Sequence, residues 1–230
     1  MMAAAFNYST YASWKRQGEA RQRWRPRLPN RYLRFLRGID RSKPVIELGC
    51  ADGSFMNVMR AAGFANVRGI DACVEYADCD GVEIGDASEI VTRSLDDSLG
   101  GIIALDVFEH IQLDDLRSLL SACRTKLSDG GEVVFRVPNA GTPLGLINQY
   151  GDVSHVNAFN EVSARQIAFE AGFTRVDVQP EPFAYPRSLS ALAGLALWPL
   201  YAGVTRAIFA AYGQKPKVIT PNLICILKKV

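Results

Sequence analysis

The chain has 230 residues, of which 48% are hydrophobic and 22% are charged, and these proportions are ordinary for one globular domain with a single core. They exclude a disordered or fibrous protein. The five cysteines are odd in number and include no C-x-x-C pair, which argues against both a disulfide framework and a structural zinc site. No basic stretch precedes an apolar run at the N-terminus, so we expect no secretory signal and a cytoplasmic location.

Charge is unevenly divided along the chain. Residues 1–43 carry eleven Lys and Arg against two carboxylates, a net charge of +9, whereas the remainder carries fifteen against 22, a net charge of −7. We therefore predict a basic N-terminal helical arm, residues 1–43, followed by the main domain, residues 44–230. The arm contains interleaved aromatic residues and could meet an anionic partner such as a phosphate, a sugar acid, a membrane surface or nucleic acid. It could equally be a solvated segment that caps a cleft.

The predicted elements of the main domain alternate between strands and helices. Buried β-branched runs predict the strands, and glycine, Asp-Gly-Gly and proline mark the ends of elements. In chain order we predict a strand ending at Glu47, a helix at 54–62, a strand ending at Asp71, strands at 82–86 and 101–107, a helix at 113–127, a strand at 131–138, a helix at 161–171, and strands at 174–178 and 222–228. Such alternation predicts an α/β fold, a parallel sheet with helices on both faces.

The first strand runs directly into a glycine-bearing turn and a helix, within VIELGCADGSF at 45–55. Gly49 and Gly53 let backbone N–H groups approach a ligand closely, and Glu47 at the strand's end can hold a charged group. The second strand ends at Asp71, whose carboxylate could accept both hydroxyls of an adenosine ribose. This layout predicts a nucleotide-cofactor loop.

The glycine spacing separates the two cofactor classes that share this layout. The dinucleotide fingerprint G-x-G-x-x-G would place glycine where this chain has Ala51 and Ser54. A pyrophosphate would then meet side chains where it needs bare backbone. Nicotinamide cofactors are therefore disfavoured.

The run E-L-G-C-A-D-G resembles the first motif of class I S-adenosylmethionine-dependent methyltransferases, and IIALDVFEHI at 102–111 resembles their fourth-strand motif. The resemblance spans about residues 44–179 and a last strand near the C-terminus. It implies a three-layer, Rossmann-like, doubly wound sheet of seven strands, mostly parallel, with an antiparallel last strand beside the fifth. One departure is Ala51, where the family most often has a second glycine; alanine costs little there if φ is negative.

The resemblance also implies contacts with S-adenosylmethionine at the carboxyl ends of the strands, where such sheets bind ligands. Glu47 would lie near the methionine amino group, Asp71 would take the ribose hydroxyls, Asp86 with Ala87 would face the adenine, and Asp106 would abut the methionyl part. The implied cofactor-binding residues are Glu47, Gly49, Cys50, Ala51, Asp52, Gly53, Asp71, Ala72, Asp86, Ala87, Asp106 and Val107. Asp71 and Asp86 could instead cap helices that begin near Ala72 and at Ala87.

The chain has only two histidines, and both fall in segments predicted to overhang the cleft. His110 lies just past the fourth strand, and His155 lies in the long connection 139–160, which we predict to be a lid loop. Methyl transfer to a hydroxyl requires removal of its proton, and an imidazole suits that task. We predict His155 as the general base, with Asp152 or Tyr150 orienting a histidine or the substrate. A loop histidine could equally hold the fold together through a backbone hydrogen bond.

Asp106, Glu109, His110 and His155 together also resemble the divalent-metal constellation of small-RNA 2′-O-methyltransferases. These two oxygen and two nitrogen ligands could bind Mg²⁺ or Mn²⁺, and the bound ion could then promote loss of the proton from a hydroxyl. However, Glu-His after the fourth strand also occurs in metal-free methyltransferases of this class, and Mg²⁺ prefers more carboxylates. We therefore expect no metal here.

Residues 188–205 form an uncharged apolar run between the sixth and seventh strands. Its length nearly suffices to span a bilayer, but a single crossing would leave the last strand on the wrong side of the membrane. We predict two short apolar helices, about 188–198 and 200–212, inside an insertion at 183–217. They would form a lid over the acceptor site, a dimer contact or a contact with the inner membrane face.

The acceptor is the least determined part of the prediction. The segments GDVSHVNAFNEVSARQIAFEAGF and TPNLICILKK resemble methyltransferases of cell-surface polysaccharide synthesis, which act on sugar hydroxyls. Quinone-type small-molecule O-methyltransferases share several of these features. RNA is a further alternative, disfavoured because no RNA-binding module is visible and the main domain is acidic. A non-enzymatic alternative is a cofactor-binding module that docks on a membrane or on partner enzymes.

Overall fold

The computed structural model describes residues 30–183 and 188–230. Most of the predicted basic arm, residues 1–29, lies outside the described residues. Its last part begins with a 3-10 helix, Asn30–Leu36, which packs onto the sheet. The elements that follow are β1 (Val45–Leu48), α1 (Ser54–Ala61), β2 (Val67–Asp71), β3 (Val82–Ile84), α2 (Ala87–Arg93), β4 (Leu99–Leu105), α3 (Leu113–Lys126), β5 (Leu127–Pro138), α4 (Pro143–Tyr150), α5 (Glu161–Glu170), β6 (Arg175–Pro180), α6 (Leu189–Ala211) and β7 (Asn222–Lys228).

The seven strands form one sheet in the order β3-β2-β1-β4-β5-β7-β6. All neighbouring strands are parallel except that β7 runs antiparallel to both β5 and β6. The predicted mostly parallel sheet with an antiparallel last strand beside the fifth is therefore confirmed. Because Leu48 pairs with Ile70 and with Ala104, the loops that leave β1, β2 and β4 emerge at the same edge of the sheet.

Two apolar cores lie on opposite faces of the sheet and give the molecule its three layers. On one face, α2, α3 and α5 bury aliphatic residues such as Leu119 and Ile167 against the strands. On the other face, α1 and the 3-10 helix bury Phe55 and Tyr32. Both faces of the central strands are covered, which explains their continuous apolar character.

The structure corrects two expectations about the long connections. The predicted lid loop at 139–160 contains the helix α4, which begins after the capping residue Thr142 with Pro143 in its first turn. The predicted pair of apolar helices is one continuous helix, α6, with Pro199 inside it. Proline removes one backbone hydrogen bond, but the alanine- and leucine-rich turns on both sides have high helix propensity and continue the helix past it.

Candidate active site

The loop between β1 and α1 has three residues in the left-handed backbone region. Gly49 has φ +66°, Ala51 has φ +47° and Gly53 has φ +73°. Ala51 therefore does not meet the condition under which alanine costs little, and alanine at this position costs about 1 kcal/mol relative to glycine. The Ala51 N–H donates to Asp71 at 2.8 Å, and this hydrogen bond helps to hold the strained turn.

Gly49 lies against the loop that follows β4. A Cβ atom at Gly49 would lie 2.5 Å from a methyl group of Val107. Glycine is therefore required by space as well as by φ, and the predicted cofactor residues Gly49 and Val107 are direct neighbours.

Glu47 is a buried carboxyl group at the end of β1, only 3% exposed. Burial, with smaller contributions from the charges of Asp52 and Asp71, raises the pKa of Glu47 to about 8. Among the described residues its Oε2 has no hydrogen-bond partner. A buried carboxyl oxygen without a donor is what the ammonium group of S-adenosylmethionine would satisfy. The loop therefore fits the predicted cofactor.

Asp71 and Asp86 each make backbone hydrogen bonds. Asp71 accepts from the N–H groups of Ala51 and Cys73, both at 2.8 Å, which ties β2 to the glycine loop. Two carboxylate oxygens carry further acceptor sites, so the ribose role of Asp71 stays a prediction. Asp86 caps α2 by accepting from the N–H groups of Ser88 and Glu89, as the alternative interpretation expected. Its adenine contact, shared with Ala87 at the start of α2, also stays a prediction.

Asp106 faces a charged cluster that the sequence interpretation missed. It has φ +58°, and Arg136 on β5 donates two hydrogen bonds to its carboxylate, one of them at 2.7 Å. Arg136 also pairs with Glu181 at 3.1 Å and donates to the hydroxyl of Tyr32, which in turn donates to Glu181. These four residues join the 3-10 helix, β4, β5 and β6 at one end of the sheet. The signal available in the sequence was an arginine interrupting the apolar strand VVFRV.

The two histidines lie together. Their ring centroids are 4.7 Å apart. The Ser154 hydroxyl donates to Asp152 at 2.5 Å and lies 2.8 Å from Nδ1 of His110. Since that hydroxyl proton is used by Asp152, Nδ1 of His110 must be the donor to Ser154, which leaves Nε2 of His110 as the basic atom. Asp152 thus lies one hydroxyl away from His110, and its role in orienting a histidine or the substrate stays a prediction.

His155 is oriented in the same sense by the backbone. Its Nδ1 lies 2.9 Å from the carbonyl oxygen of Gln149, so Nδ1 carries the proton and Nε2 is the basic atom. Nε2 of His155 lies 4.0 Å from the fully buried carboxyl group of Glu109. The N–H groups of Val156 and Asn157 both donate to the backbone carbonyl of Glu109. The loop after β5 is therefore fastened to the turn after β4.

Three of the four residues in the metal hypothesis come together. One ligand atom from each of Glu109, His110 and His155 lies within 4.8 Å of the others. Asp106, the fourth, is paired with Arg136 instead. One carboxylate and two imidazoles would suit a transition-metal ion better than Mg²⁺. The expectation that no metal binds stays a prediction.

The fold and the loop after β1 define a class I methyltransferase of the S-adenosylmethionine-dependent type. The chain belongs to the methyltransferase domain family, which matches residues 20–178. No curated protein matches it by sequence. It is an enzyme, and its cofactor is S-adenosylmethionine.

Solved structures show the same fold at low sequence identity. A SAM-dependent methyltransferase of Archaeoglobus fulgidus is 19% identical, with a TM-score of 0.70 over 94% of this chain and 100% of that one. The methyltransferase bound to the Trm112 activator in Haloferax volcanii is 14% identical, with a TM-score of 0.64 over 98% and 99%. Phosphoethanolamine N-methyltransferase 2 of Haemonchus contortus, in complex with S-adenosyl-L-methionine, is 16% identical, with a TM-score of 0.55 over 86% and 51%.

Proposed function

We propose that this methyltransferase transfers a methyl group to a hydroxyl of a sugar or glycan acceptor in polysaccharide or glycolipid biosynthesis. The observation that carries the proposal is the pair His110 and His155, each held with its Nδ1 proton engaged and its Nε2 basic. A neutral amine already offers a lone pair to a methyl donor, whereas a hydroxyl needs a base. A cytoplasmic location is part of the proposal.

The cofactor half of the site would hold S-adenosylmethionine through charge and backbone. When bound, the cofactor supplies an electrophilic methyl group on a sulfonium centre. Glu47 would ionise against the ammonium group of the cofactor, since a neighbouring cation offsets the burial that now raises its pKa. Asp71 would accept from the ribose hydroxyls while it keeps the N–H groups of the loop.

The acceptor half would remove the proton. Nε2 of His155 would accept it from the acceptor hydroxyl, and the resulting imidazolium would lie beside Glu109, whose oxygen is 4.0 Å away. His110 would hold or relay a proton at its own Nε2, with Ser154 and Asp152 fixing its ring. Fixed tautomers remove the need for ring rotation during transfer.

The sugar acceptor rests on the resemblance of residues 151–173 and 220–229 to methyltransferases of polysaccharide synthesis. The basic arm would favour an acceptor that carries phosphate or a sugar acid. Quinone-type phenols are the alternative small-molecule acceptors. RNA remains disfavoured by the acidic main domain.

An acceptor screen tests the proposal. Formation of S-adenosylhomocysteine would be measured with nucleotide sugars, polyprenyl-phosphate-linked sugars, a catechol and RNA, and mass spectrometry would locate the added methyl group. We expect methylation of a sugar hydroxyl. Methylation of only the catechol or only the RNA would contradict the sugar assignment. Tight cofactor binding with no turnover on any of these acceptors would also contradict the sugar assignment.

Variants then test the base. His155→Ala should lower kcat by about a hundredfold or more while the Kd for S-adenosylmethionine stays unchanged, and Asp71→Ala should weaken cofactor binding instead. Turnover should survive EDTA. Loss of activity in EDTA, restored by Mn²⁺ or Zn²⁺, would show that Glu109, His110 and His155 bind a metal.

A further inference from the structure

Helix α6 is unusual because the rest of the described protein covers so little of it. Only 11% of its apolar window, Leu192–Ala211, is buried, and the mean hydropathy of that window is 1.3. Leu197 is 61% exposed and Leu200 is 66% exposed. By contrast, α3 hides Leu116 and Leu119 completely in the core. A contiguous exposed apolar surface of this kind marks an interaction site.

A narrow stripe of α6 faces the main domain. Ala202 and Thr205, one turn apart, are both buried at 6% exposure. The remaining faces carry leucine, valine and isoleucine toward solvent, and the only charged residue of the helix is Arg206. The helix is therefore seated on the protein on one side and apolar on its free sides.

The charges around α6 single out an anionic partner. From Pro182 to the C-terminus the sequence contains no acidic residue and six cations, whereas residues 44–181 carry nine cations against 22 carboxylates. Lys215 and Lys217 follow the helix directly, and both are exposed. A second copy of the chain would place two cationic segments next to each other, and they would repel. A surface of anionic lipid headgroups would instead attract the segment.

Aromatic side chains along α6 are of the types that favour a membrane interface. Trp198 packs edge-on against Phe183 at 4.8 Å and beside Tyr201 at 5.0 Å. Tyr212, just past the helix, is 81% exposed. Trp and Tyr place an apolar ring and a polar tip at the boundary between hydrocarbon and water.

The topology decides how α6 can meet a lipid surface. The helix is about 35 Å long, yet β6 before it and β7 after it pair with each other in the same sheet. Residues Val218–Thr220 are buried in the main domain, so only a short segment after Ala211 could lead back from a far side. A crossing would draw the charged residues Lys215 and Lys217 through hydrocarbon.

We propose that α6 binds an anionic lipid surface by lying in its plane, with its free apolar faces in the headgroup–acyl boundary and Arg206, Lys215 and Lys217 at the phosphates. Apolar burial supplies most of the affinity and the cations set the preference for anionic lipid. The lipid contact does not depend on the acceptor proposed above.

Vesicle flotation of the full chain tests the inference, without acceptor or turnover. Mixed phosphatidylcholine–phosphatidylglycerol vesicles are compared with pure phosphatidylcholine vesicles. We expect flotation with the mixed vesicles and a lower bound fraction with the neutral ones. The double variant Leu197→Gln with Leu200→Gln should reduce binding about tenfold or more. Lys215→Gln with Lys217→Gln should abolish most of the preference for anionic vesicles.

A matched control distinguishes binding through α6 from nonspecific adsorption through any exposed apolar side chain. Leu95 and Phe169 lie elsewhere on the main domain and are 79% and 72% exposed. The double variant Leu95→Gln with Phe169→Gln should float like the wild type. Thermal unfolding of each variant would confirm that the exposed substitutions leave the fold intact.

Three results would overturn the inference. The first is no flotation of the wild type, and the second is an equal loss of binding in the α6 variant, Leu197→Gln with Leu200→Gln, and in its control, Leu95→Gln with Phe169→Gln. The third is a dimer, seen by light scattering, that dissociates in the α6 variant while the wild type binds no vesicles. The last result would mean that a second copy of the chain covers α6.

Discussion

The cofactor loop and the charged cluster around Arg136 are built in different ways. In the cofactor loop, a segment of seven residues, 47–53, supplies the turn, and its geometry depends on backbone φ angles and hydrogen bonds to Asp71. In the charged cluster, side chains converge from distant parts of the chain. Tyr32 and Arg136, for example, are 104 positions apart and share a hydrogen bond.

This difference determines which substitutions disrupt each of the two parts. A backbone turn fails when a residue no longer fits its φ angle or its space. A cluster of buried charges fails when one partner is lost, because the remaining charges stay desolvated. The following predictions separate the two modes, from the largest expected effect to the smallest.

Removal of Arg136 should have the largest effect. Arg136→Met would leave Asp106 without its cation and Glu181 with only the more distant Arg31, at 3.6 Å. We expect the free energy of unfolding to fall by about 3 kcal/mol, as measured by urea denaturation.

The matched control is Arg117, which also pairs with two carboxylates, Asp114 and Glu170, but on the surface. Arg117→Met should leave the free energy of unfolding almost unchanged. Similar losses in the two variants would contradict the distinction between a buried cluster and a solvated one.

Gly49→Ala should damage the cofactor half. The new Cβ would be placed 2.5 Å from Val107 at φ +66°, so we expect a loss of about 2 kcal/mol in stability together with weakened binding of S-adenosylmethionine by calorimetry. Gly63→Ala is the control for backbone strain alone, since Gly63 has φ +90° with nothing within 4 Å. It should lose about 1 kcal/mol and bind the cofactor normally. If Gly49→Ala behaved like Gly63→Ala, close packing against Val107 would not matter.

Measured per pH unit, the smallest effect is a pH dependence of stability that comes from Glu47, at most about 1.4 kcal/mol for each unit. Its pKa is about 8 in the folded protein and 4.5 in the unfolded chain, so the folded state holds a proton that the unfolded state releases between these values. The contribution of Glu47 to stability is therefore greatest below pH 4.5 and falls as pH rises toward 8. Glu47→Gln should flatten this part of the stability profile measured by denaturation.

Cofactor binding should show the opposite trend. An ionised Glu47 pairs with the ammonium group of S-adenosylmethionine, so the Kd should tighten by about tenfold between pH 6 and pH 7. Calorimetry in two buffers of different ionisation heat should show proton release on binding. Equal proton release by Glu47→Gln would mean that another group supplies the proton.

The helices α5 and α6 show how far sequence patterns reach. The pattern of α5 predicted a helix at 161–171, and the structure has Glu161–Glu170. The prediction succeeded because local signals mark both ends: Asn160 caps the start and Gly172 follows the end. For α6 the same reasoning placed a break at Pro199, and the structure has none. A cap acts through local hydrogen bonds, whereas the effect of an internal proline depends on the stability of the turns beside it.

The sequence by itself determined the order of the strands, the glycine loop, Asp71 at the end of β2 and the two histidines, because each of these is encoded by neighbouring residues or by a regular spacing. Only the tertiary structure decided that Ala51 takes a positive φ, that Asp106 turns to Arg136, and that Ser154 and Gln149 set the histidine tautomers. These features depend on contacts between segments far apart in the chain. Such contacts are fixed by packing of the whole sheet, and no local pattern records them.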